Sequence, residues 1–122
     1  MLRARALGAA AALVVGAVAP MTVASSAHAA DPIRNCGPAP ADIDDSAWGT
    51  TFGGTNIRMR RSPNTLASTP VCGLGQPSHR ADYHCFTEGE GGTWTYVRDV
   101  DTAFAGWVRD DLLTDRGSFD HC

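Results

Sequence analysis

The chain contains no lysine; all ten of its basic residues are arginines. That excludes Schiff-base chemistry, a P-loop phosphate site and a Ser-x-x-Lys nucleophile, each of which needs an ε-amino group. A codon bias toward arginine accounts for the lack. Nor is there a helical period of useful length, a Cys-x-x-Cys pair, or an apolar run long enough to span a bilayer comfortably. Aromatic residues make up only 7%, and they are concentrated in a few short stretches. Basic charge is also scarce. Thirteen acidic residues against ten arginines leave a net charge of −3, and Arg3 and Arg5 stand apart from the rest at the N-terminus. Phosphate binding depends on clustered basic charge, so a nucleic-acid partner is excluded.

The first residues read as an export signal. Arg3 and Arg5 form a basic n-region, Ala6 to Ala19 an apolar core, and Ala27-His28-Ala29 supplies the small residues that a signal peptidase reads. Cleavage is expected after Ala29, giving a leader at 1–29, and no cysteine is placed there for lipid attachment. The product is expected to be secreted, extracellular or cell-wall associated, monomeric, and off the membrane once the leader is removed.

Cys36, Cys72, Cys85 and Cys122 follow. An even count in a small exported chain reads as two disulfides. Three connectivities are possible. The expected pairing is Cys72–Cys85, between adjacent strands, with Cys36–Cys122 tying the ends, each worth roughly 3–5 kcal/mol by loop-closure entropy. So small a domain has little core and needs such staples.

From residue 30 to 49 the chain is rich in Pro and Asp and reads as an N-terminal arm pinned by Cys36, with Trp48 laid against the domain. Asp42, Asp44 and Asp45 lack the glycine and closing glutamate of an EF-hand calcium loop. Beyond it, Thr55, Ile57 and Met59 alternate with Asn56, Arg58 and Arg60, the period of a half-buried strand, ended by the turn chemistry of Arg61-Ser62-Pro63-Asn64. Further short strands are expected over Val71–Pro77, broken by glycines and proline, and over Asp82–Thr87, Trp94–Arg98 and Phe104–Val108, separated by Gly, Pro and Asp turns. Short strands at such spacing predict a small antiparallel β-barrel.

Two stretches carry a family resemblance. Arg58-Met59-Arg60-Arg61-Ser62-Pro63-Asn64-Thr65 resembles the Asn-Val-Arg-Ser-Gly-Pro-Ser-Thr opening of bacterial SH3 (SH3b-type) domains, with Arg58 in place of the asparagine and Ser62 in place of the glycine. Thr93-Trp94-Thr95-Tyr96-Val97-Arg98 with Gly106-Trp107-Val108 resembles that family's Trp-Tyr-x-Val … Gly-Trp-Val close, and Leu112-Leu113 its apolar plug after a 3₁₀ turn. With Tyr83-His84-Cys85-Phe86, the chain is similar to small secreted actinobacterial SH3 domain-containing proteins. The resemblance covers 50–113, leaving 114–122 as a C-terminal tail. It implies an SH3-like barrel that binds peptidoglycan or a peptide ligand, catalyses nothing and needs no cofactor. A small secreted protein that binds or inhibits an extracellular enzyme is the alternative.

Tyr83, Trp94, Tyr96 and Arg98 are the candidate ligand-binding residues, with Trp107 nearby. Val97 is expected to face the core, which turns Trp94 and Tyr96 outward beside Arg98; exposed aromatics beside an arginine suit a peptide groove or a sugar face. The competing reading has Trp94 covering the core and binding nothing. No metal site is expected: His84-Cys85 and His121-Cys122 are neighbours pointing to opposite faces, so they cannot readily share one zinc, and His79 has no paired ligand spacing. A Cys85–His nucleophilic pair and the Asp110-Asp111 carboxylates are weighed and set aside. The two aspartates are expected to open the turn that carries Leu112 into the core.

Overall fold

The structure, a computed structural model, describes residues 36–122; the expected leader at 1–29 lies outside the described residues. The described residues form one unit, built on five strands: β1 (Ile57–Arg60), β2 (Val71–Gly75), β3 (Ala81–Gly89), β4 (Gly92–Asp99) and β5 (Ala105–Arg109). They form one antiparallel sheet in the order β2-β1-β5-β4-β3, followed by a 3₁₀ turn at Asp110–Leu112. The sheet is not closed: β2 and β3 are its two edges.

The alternation read from β1 is borne out. Ile57 and Met59 are buried while Arg58 is exposed. They join Phe52, Ala81, Tyr83, Val97, Val108 and Leu113 in one core, with Phe104 packed against it. β1 and β5 approach so closely that a Cβ on Gly106 would lie 2.8–2.9 Å from the backbone of Met59 and Arg60, a position that only glycine fills without moving a strand. β3 and β4 are joined by a two-residue loop, Glu90-Gly91, between the paired Gly89 and Gly92. Gly91 supplies the positive φ of 79° that this reversal requires.

Three expectations are corrected. The first is the disulfide pairing, which is Cys36–Cys72 and Cys85–Cys122. Cys72 lies on β2 and Cys85 on β3, at opposite edges of the sheet. At about 4.8 Å per strand they are roughly 19 Å apart along it, and a disulfide tolerates a Cα separation of only about 4.4–6.8 Å. Each edge cysteine is bonded instead to a segment outside the strands. The second concerns the 3₁₀ turn. It is present, but the residue it delivers to the core is Leu113, 3% exposed, whereas Leu112 is 38% exposed. Asp110 anchors it by accepting hydrogen bonds from the hydroxyls of Thr93 (2.6 Å) and Thr95 (2.5 Å).

The third is the outward placement of Trp94 and Tyr96; both are buried. Residues Trp94–Val97 are buried without a break, as are Ala81–Cys85 opposite them, so this part of the sheet is covered on both faces. Arm and tail provide that cover. The amides of Ile43 and Asp44 donate to the His84 carbonyl, and Gly49 and Ala81 exchange backbone hydrogen bonds. From the tail, Phe86 donates to the Asp120 carbonyl and accepts from the Cys122 amide, both at 2.9 Å. Arm and tail also meet directly, Ser118 Oγ donating to Asp44 Oδ2 at 2.5 Å. Burial pushes the Asp44 carboxyl up, but hydrogen bonds from Ser118 and Ser46 outweigh it and hold the carboxyl below its usual value.

Candidate functional site

The four sequence-predicted site residues do not form a platform. Tyr83 is a core residue whose hydroxyl lies 2.6 Å from both Thr51 Oγ1 and Asp115 Oδ1. Trp94 Nε1 donates to the Glu90 carbonyl at 2.9 Å. The turn at Pro63 closes over the same hairpin, because the Glu90 amide donates to the Pro63 carbonyl and Thr65 donates to the Glu90 carboxylate. Tyr96 is enclosed by rings, His84 tilted at 5.0 Å and half-buried Trp107 edge-on at 5.4 Å. Arg98 is half-buried, its Nε 3.5 Å from Asp82 Oδ2 and its guanidinium 5.5 Å over the Trp48 ring. That contact realises the expected docking of Trp48, although the ring itself stays half exposed.

Accessible concave surface lies elsewhere, around Arg109 at the end of β5. A groove of about 260 Å³ runs beside β1, with Arg58, Arg60 and Arg109 along it, Ile57 and Leu112 as apolar floor, and the edge of Trp94 at one side. The Glu90 carboxylate stands beside it, accepting hydrogen bonds from the lining Thr65. Arg58 makes no ion pair among the described residues, and Arg60 feels Glu90 only at a distance. Arg109 is held by Asp111, Nε to Oδ1 at 2.7 Å, and turned toward the hairpin. A second, larger groove of about 640 Å³ adjoins it through Arg109, passing Gly91, Phe86, Arg116 and Phe119. Phe119 is 85% exposed, the most open large apolar side chain of the described residues.

All four cysteines are in disulfides, which excludes the thiolate of a Cys-His pair. His79 Nδ1 lies 2.6 Å from Asp99, and His121 Nε2 lies 2.9 Å from Glu88; neither lines these two grooves. Burial pushes the Asp110 carboxyl up, against the lowering effect of its two threonine donors, and both threonines hold it in the turn.

Sequence reasoning passed over Arg58, Arg60, Arg109 and Phe119. The outward pair Arg58 and Arg60 was legible in the alternation of β1. That Arg109 joins them depends on β1 and β5 being neighbours, which no local pattern reveals. The two disulfides fit an oxidising compartment, and no helix of the described residues is long and apolar enough to cross a membrane. Compared with family models, with curated proteins and with solved structures, the chain matches none.

Proposed function

We propose that this chain is an exported, non-catalytic SH3-like binding module whose ligand is peptidoglycan or another peptide of the cell wall, taken up in the grooves around Arg109. One observation carries the reading: three guanidinium groups line one groove on a protein whose net charge is negative. A local reversal of charge over an apolar floor suits an extended ligand with carboxylate groups, since arginine binds carboxylates bidentately. The five-stranded antiparallel order and the 3₁₀ turn after β5 are in keeping with the resemblance to bacterial SH3 domains, and the two disulfides with export.

The test is retention of the protein on purified sacculi. Retention at low salt is expected, falling as ionic strength rises and the arginine field is screened. Arg58→Gln with Arg60→Gln should weaken binding about tenfold, the size of one lost charge-assisted hydrogen bond, with an unchanged circular dichroism spectrum. No retention at low salt sinks the proposal.

Exposed Phe119 at the mouth of the larger groove favours a second reading, a folded protein partner such as an extracellular hydrolase. Inhibition of such an enzyme on titration, lost in Phe119→Ala, would support it.

A further inference from the structure

His84 is the extra residue of a bulge in β3. Tyr83 pairs with Val97 and Cys85 with Tyr96, so His84 has no residue opposite it. Bulges re-aim side chains, and this one turns both the carbonyl and the ring of His84 toward the arm. The ring is 6% exposed, and its Nδ1 lies 3.0 Å from the Pro40 carbonyl. A carbonyl only accepts, so Nδ1 carries the proton, which leaves Nε2 as the nitrogen able to bind a metal. Among the described residues that nitrogen has no hydrogen-bond partner, and Asp42 Oδ2, at 3.9 Å, is beyond hydrogen-bonding reach.

Asp82, two residues earlier on β3, brings a buried carboxylate to the same place. One ligand atom from each of Asp42, Asp82 and His84 can be chosen so that all three lie within 4.8 Å of one another. Three potential ligand atoms, two of them on carboxylates, thus converge. Arg98 stands beside Asp82 alone. Burying the Asp82 carboxylate is costly, and a cation at the centre would offset that cost.

We propose that Asp42, Asp82 and His84 bind a zinc ion between the arm and β3. Imidazole nitrogen and carboxylate oxygen are both zinc ligands, and three of them from protein leave a fourth position open; the imidazole disfavours calcium and magnesium, which take oxygen ligands. Pro40 supplies the carbonyl that fixes the tautomer of a metal-bound histidine, and Arg98 orients the Asp82 carboxylate. Tetrahedral bonds of about 2.0–2.1 Å require ligand atoms roughly 3.3 Å apart, so the donors must draw together slightly. Asp42 is exposed and free to rotate inward. The site combines one aspartate of the Asp42–Asp45 run with one histidine of the three considered, a set that only the docking of the arm assembles.

Titration calorimetry of the untagged, oxidised, chelator-stripped protein with zinc chloride tests this. Binding of one ion with a dissociation constant in the micromolar range or tighter is expected, with at least tenfold weaker binding of calcium. Asp42→Asn, at an exposed position, should weaken zinc binding at least tenfold without lowering the metal-free melting temperature; His84→Asn should abolish binding. His121→Ala should have no effect. Absence of binding, equal affinity for calcium, or a loss in His121→Ala with none in Asp42→Asn overturns the assignment.

Discussion

At Trp94 the indole is 2% exposed and its one donor is satisfied by a carbonyl. Trp94→Ala therefore opens a cavity and should cost about 3–5 kcal/mol of stability, measured as a lower urea midpoint, so any loss of binding in this variant reports the fold. Tyr83 makes a second residue-scale prediction. Burial, with the hydrogen bond to Asp115 next, pushes its phenol well above the ordinary value near 10. The folded state thus keeps the proton that the unfolded chain releases at about pH 10. Stability is fully present below that pH and declines as pH rises through it. Alkaline unfolding followed by circular dichroism should show this decline, and Tyr83→Phe should flatten it. Both residues were legible as aromatic strand positions. Their burial was not, because alternation assigns a side chain to one face or the other and says nothing about what lies on that face.

At the scale of elements, strand positions were largely legible, since Ile57/Met59 alternation, Pro63 and the Gly91-Gly92 turn act locally. The connectivity of the cysteines was not. It follows from the strand order, which brings β5 between β1 and β4 and separates Cys72 from Cys85. Each disulfide closes a span of 36 or 37 residues, which loop-closure entropy values at about 4 kcal/mol. Replacing Cys36 and Cys72 together by serine should lower stability by that order in urea titrations. Peptide mapping of the unreduced protein should recover the pairs Cys36–Cys72 and Cys85–Cys122. The arginine groove belongs to this scale too: Arg58 and Arg60 are visible in one strand, whereas Arg109 reaches them only through pairing of β1 with β5.

For the whole molecule, the resemblance at 50–113 suggests a self-sufficient domain, but burial runs past both limits. Asp44 and Ser118 are buried against each other, Asp115 holds Tyr83, and Cys122 is bonded to Cys85. A fragment limited to residues 50–113 should therefore lack a cooperative thermal transition and dispersed amide resonances, both of which the chain through Cys122 should show. The proposed zinc site and the two-faced burial of β4 rest on the same docked arm. Proline- and aspartate-rich composition marked that segment as solvated, because its contacts are mostly backbone hydrogen bonds to β3, which leave no trace in side-chain pattern.

The order of the two disulfides along the chain has a mechanical consequence. They are sequential and do not enclose one another, so a load applied between Cys36 and Cys122 bypasses residues 37–71 and 86–121 through sulfur. Only the segment 73–84 can lengthen, by at most about 3.3–3.6 Å per residue. Under tension the oxidised protein is a short, nearly inextensible link, and reduction converts the same chain into a long compliant tether.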